Sequence, residues 1–139
     1  MSFIIKACCI VLMIGTIYAL YLMLDYDKKF KLLEQSYVME NRSEILAFIK
    51  RNWLLEHLLE ARVPLASAFG EASLKKLTLV KDGDGFVTLL CLIIFPGSLE
   101  EARQELKSFD ESWWLSHSHL VDGKLNFDFE LDCASKHNA

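Results

Sequence analysis

Lys124-Leu125-Asn126-Phe127-Asp128-Phe129-Glu130-Leu131-Asp132 alternates apolar and polar side chains without a break. A period of two puts Leu125, Phe127, Phe129 and Leu131 on one face of a strand and Asn126, Asp128, Glu130 and Asp132 on the other. The stretch therefore predicts a strand over 124–132 with one face buried and one acidic and wet. Asp122-Gly123 supplies the turn that leads into it.

Upstream, Ser98 and Glu101 have the spacing of a capping box. Leu99, Ala102, Leu106 and Phe109 then form an apolar stripe, which predicts a helix over 98–109. Phe86 to Phe95 is apolar almost throughout and predicts a central strand covered on both faces, stopped by Pro96-Gly97. Leu74 to Lys81 predicts the strand that pairs with it, joined through Asp82-Gly83-Asp84-Gly85. Asn41 with Glu44 reads as a second capping box, opening a helix over 42–61. Pro64 opens a short helix over 64–69 that Gly70 ends. The fold class is α+β: a three-stranded sheet (74–81, 86–95, 124–132) with helices packed on one face.

Before this domain lies a different kind of sequence. From Ala7 to Leu24 there is no charge in a run of 18 residues. About 20 residues of helix cross the roughly 30 Å hydrocarbon core of a bilayer. Lys6 can carry its ammonium to the headgroups, and Tyr18, Tyr21 and Tyr26 suit an interface. A cleaved signal peptide has a shorter core and a small-x-small site, and Leu22-Met23-Leu24-Asp25 offers none. The sequence thus predicts residues 1–26 as an uncleaved single transmembrane anchor meeting lipid through residues 3–24, residues 27–41 as a charged helical connector, and 42–139 as the α+β domain. Lys28, Lys29 and Lys31 after the span outweigh Lys6 before it, placing the domain in the cytoplasm. Gly15 and Ala19 form a small-xxx-small pair for packing against another membrane helix.

Charge is uneven along the chain. Residues 25–97 carry 10 acidic and 10 basic side chains, and residues 98–139 carry 9 acidic and 4 basic. An acidic C-terminal part excludes nucleic acid, whose phosphates need a basic surface. Cys8, Cys9, Cys91 and Cys133 have no metal-ligand spacing.

Motifs with chemistry are few. In a calcium loop with Gly85 sixth, the first and twelfth positions would be Val80 and Cys91, neither an oxygen donor of the required kind. His117 and His119 could supply two metal ligands and a metal-dependent activity, but no third ligand has a fixed spacing. No nucleophile–base pair or phosphate-binding glycine loop is spelled out, so no catalytic residue, metal or cofactor is assigned. Trp113-Trp114 is the most unusual feature: two adjacent indoles at a helix end cannot easily both turn to the core. Either both pack structurally, with Asp110 capping the turn, or one is exposed and, with Asp128, Glu130 and Asp132, forms the candidate surface for a basic protein partner.

Glu100-Glu101-Ala102, Leu106, Phe109-Asp110-Glu111-Ser112-Trp113-Trp114-Leu115 and Asp122-Gly123-Lys124-Leu125-Asn126-Phe127-Asp128-Phe129-Glu130 resemble an uncharacterised, mainly cyanobacterial family of small α+β proteins. Ile49, Asn52, Leu55, Leu58-Leu59-Glu60-Ala61 and Phe69-Gly70 are similar to the same pattern, so the resemblance covers about residues 43–132. It implies a small α+β domain and carries over no catalytic residue. Members of that family are mostly soluble, so the anchor departs from it. The expected role is a membrane-anchored, non-catalytic interaction module, or an accessory subunit of a membrane complex.

Overall fold

The computed structural model describes residues 2–132. The chain divides into two units, Met1–Leu32 and Leu33–Ala139. The first is almost all of helix α1 (Ser2–Ser36), whose apolar side chains from Phe3 to Tyr26 are exposed. By length and composition α1 is sufficient to cross a membrane.

The second unit begins with the last turn of α1. Leu33 there is fully buried, and Tyr37 just beyond it is 3% exposed. The Tyr37 hydroxyl donates to the Leu58 carbonyl at 2.6 Å, so the polar tip of a buried ring is satisfied. The chain then forms β1 (Val38–Met39), α2 (Arg42–Arg51), α3 (Leu55–Phe69), β2 (Leu74–Lys81), β3 (Val87–Phe95), α4 (Leu99–Phe109) and β4 (Leu125–Leu131). Among the described residues the strands make one sheet in the order β1-β2-β3-β4. β2 and β3 are an antiparallel hairpin, while β1 pairs with β2 and β4 with β3 in parallel.

Four strands replace the three expected. The added β1 is two residues long, too short for any periodicity to mark it, and it begins directly after the end of α1. The hairpin turn is as expected: Asp82 Oδ1 accepts from the Asp84 and Phe86 N–H groups, each at 2.9 Å, so this carboxylate is spent on the turn backbone.

The helix expected over 42–61 breaks at Asn52-Trp53-Leu54. Leu54 N–H donates to Ile49 O and Asn52 N–H to Phe48 O, both at 3.0 Å, and Trp53 sits at φ 57°. This is a Schellman-type closure, with buried Leu54 and Ile49 as its apolar pair. Glycine usually fills the left-handed position, so tryptophan hid the signal. α3 then runs through Pro64 to Gly70, so Pro64 lies inside the helix and does not open it. The carbonyl that loses its partner belongs to exposed Glu60, where water can take over. Asn41 stands at the start of α2, but its side chain makes no capping bond: its ψ of 73° is far from the extended value a capping residue adopts. Ser98 does cap α4, accepting from Glu101 N–H at 3.1 Å.

Leu77, Leu89, Cys91 and Ile93 are fully buried, with Leu125 and Phe127 beside them. The buried side chains Ile45, Ile49, Leu58, Leu65, Ala102 and Phe109 of α2, α3 and α4 complete this one core. Each fully buried large side chain stabilises the fold by about 1.5–3 kcal/mol. The sequence predicts cover on both faces of β3; among the described residues helices cover one. Thr88, Leu90, Leu92 and Ile94 alternate with the buried set and are only half-buried. An apolar run says that both faces are apolar, not that both have a helix above them.

Candidate partner-binding face

The register builds the open face row by row. Leu74, Ile94 and Glu130 lie across one row, Lys76, Leu92 and Asp128 across the next, and Thr78, Leu90 and Asn126 across the third. The middle of the face is therefore an apolar ribbon along β3. Its β4 side carries Asp128 and Glu130, both exposed, and its β2 side carries Lys76. Val38, Leu74 and Val80 extend the apolar area at 46%, 52% and 45% exposure. Lys76 is ion-paired with Glu40, which raises its pKa, and Glu130 adds to that effect across the face. Asp132 follows β4, with its N–H donating to Phe95 O at 2.9 Å.

The tryptophan pair lies on the other side of the sheet. Asp110–Trp114 form a π-helical turn that continues α4, followed by an α turn (Leu115–His117) and a 3-10 turn (Ser118–Val121). Trp114 is 8% exposed and meets Phe127 edge-on at 4.8 Å. Trp113 is half-buried, 5.8 Å from Phe109 and stacked on the His117 ring at 4.5 Å. Phe127 and Asp128 are neighbours in one strand and point to opposite faces. The structure thus groups Asp128 with Glu130 and places the indoles elsewhere. Alternation alone could have separated them.

Asp110 links the two regions. Partial burial raises its pKa, and the carboxylates of Asp128 and Glu111 add to the effect. His117 is committed locally: its Nδ1–H donates to Trp113 O at 2.7 Å. Among the described residues no group of three His, Cys, Asp or Glu side chains is placed to hold a metal ion. A cleft of about 420 Å³ opens elsewhere, lined by Glu34, Tyr37, Arg62, Glu71, Ser73 and Lys75. Its charges are mixed, and Arg62 Nε–H is occupied by Leu59 O at 3.1 Å.

Among the described residues β4 is an edge strand, and its outer edge is modified by its own side chains. Leu89 N–H donates to Lys124 O and Asp132 N–H to Phe95 O. Alternate residues of a parallel strand bond to the same neighbour, so even-numbered residues face β3 and odd-numbered ones face outward. The outward N–H of Phe127 donates to Asn126 Oδ1 at 2.9 Å, and that of Phe129 to Asp128 Oδ1 at 2.8 Å. An incoming strand would find these donors taken.

Trp53, which no sequence pattern singled out, is also exposed. Its ring is 85% exposed at a backbone angle that bulky residues avoid. Comparison with protein-family models, curated proteins and solved structures gives no match.

Proposed function

We propose that the chain is a single-pass membrane protein in which α1 spans the bilayer and the α+β domain is a non-catalytic interaction module at the membrane surface. One observation carries the reading: a sheet with one face packed and, among the described residues, the other bearing a half-buried apolar ribbon beside carboxylates. Contiguous exposed apolar surface rimmed by polar groups marks binding sites. The length and apolar character of α1 support the span, and the excess of Lys28, Lys29 and Lys31 over Lys6 supports a cytoplasmic domain.

A second reading makes the chain an accessory subunit recognised through the membrane. It is favoured by Gly15, where an added Cβ would meet nothing within 4 Å, and by Ala19 one turn on. Exchanging residues 3–24 for an unrelated membrane helix separates the two. Co-purification of the same partner from mild detergent supports the domain as recogniser. Loss of the partner from a protein that still inserts supports the helix.

A further inference from the structure

We propose, resting on the interaction-module reading, that the open face takes an amphipathic helix of a partner protein, with its apolar stripe on Leu90, Leu92 and Ile94 and a basic flank over Asp128 and Glu130.

Both the shape and the charge of the face limit what can sit there. An added strand is disfavoured at β4, where Asn126 and Asp128 occupy the outward N–H groups of Phe127 and Phe129. At the opposite edge β1 is two residues long and offers little ladder. That leaves the face itself. A second copy of the chain would bring Asp128 and Glu130 against an equally acidic face whose Lys76 already serves Glu40. An anionic bilayer would meet the same carboxylates. A cationic partner gains from them, and charge complementarity is what selects a docking orientation.

The dimensions fit a helix. Leu90 to Ile94 spans about 13 Å at the rise of a strand, which is about nine residues of helix. Side chains four apart on a helix are about 6 Å apart along its axis. That matches the spacing of about 6.7 Å between Leu90 and Leu92, and between Asp128 and Glu130 on the same side of β4. A helix with apolar residues at i, i+4 and i+8 and Lys or Arg four apart on one flank satisfies both rows. The carboxylates lie on one side of the ribbon only, and that asymmetry fixes the helix's direction.

A photo-crosslinking amino acid at Leu92 in the full-length chain, in its native membrane, tests this, with Ile94 as a second position. Val63 on α3 and Ile14 on α1 are control sites, both well exposed. The expected product at Leu92 is one partner protein, joined within a segment that mass spectrometry reads as an amphipathic helix with one basic flank. Combining Asp128→Asn with Glu130→Gln should lower that yield about fivefold, the effect of two rim charge pairs. A product at Leu92 or Ile94 with lipid, with a second copy, or with an acidic or extended segment overturns the proposal. Partner products at Val63 without any at Leu92 or Ile94 also overturn it and leave the interaction-module reading standing, whereas partner products at Ile14 alone overturn both in favour of recognition through the membrane helix. No product at any of the four positions ends both.

Discussion

Trp53 holds a backbone conformation that its side chain disfavours, and nothing in the domain rewards it. The left-handed region costs an L-residue about 1–2 kcal/mol, and a ring 85% exposed recovers little of that by packing. Trp53→Gly should therefore stabilise the domain by about 0.5–1 kcal/mol, after the entropy that glycine adds to the unfolded chain. Trp53→Ala keeps the strained angle and should be close to neutral. Thermal melts of the two variants check this, and a glycine variant no more stable than the alanine one would contradict it. The residue also marks the limit of what the sequence discloses. Ser98 announced the start of α4 because a capping hydroxyl is chemically conspicuous. Trp53 gave no warning of the end of α2, because the closure is a backbone geometry that glycine normally advertises. The same gap moved the expected helix break to Pro64, the visible breaker, and away from the real one.

At the scale of the element, β4 shows both what alternation reveals and what it leaves open. Its period of two disclosed the buried row and the acidic row, and the structure keeps both. It gave no means of knowing that Asn126 and Asp128 turn their oxygens onto their own strand, since that depends on edge position. It also left the run from Phe86 to Phe95 ambiguous, because a wholly apolar strand reads alike with one covered face or two. The self-capping separates two roles of Asp128. Asp128→Asn keeps an acceptor at the Phe129 N–H and removes the charge, whereas Asp128→Ala removes both. The alanine variant should self-associate through the freed edge, and the asparagine variant should not. Sedimentation of the two in the same detergent is the check, and equal behaviour would remove the edge from the explanation.

At the scale of the molecule, Cys91 reports on the whole core. Complete burial pushes its thiol up to about 12 from an ordinary 9.0, with Lys75 opposing weakly. Burial raises the Tyr37 hydroxyl in the same direction. A folded-state pKa above the unfolded one means that the folded form holds the proton more tightly. The resulting stability is complete below pH 9 and is lost as pH rises toward 12. For Cys91 alone the slope reaches at most about 1.4 kcal/mol per pH unit. Urea midpoints between pH 8 and 11 should fall, and should fall less steeply in Cys91→Val. An identical slope in that variant would mean that the thiol is not protected by the fold.

The parallel pairing of β3 with β4 has a consequence in time as well as in space. The hairpin of β2 and β3 closes locally, but β4 must return to β3 after the long excursion of residues 96–124. Contacts so distant along the chain form late, since the loop entropy is spent before they give anything back. A ribosome also delivers Leu125–Leu131 after the other three described strands. Until Leu125–Leu131 has emerged, Leu89, Cys91 and Ile93 have no Leu125, Phe127 or Phe129 beside them, and the newborn domain waits half-closed for its final strand.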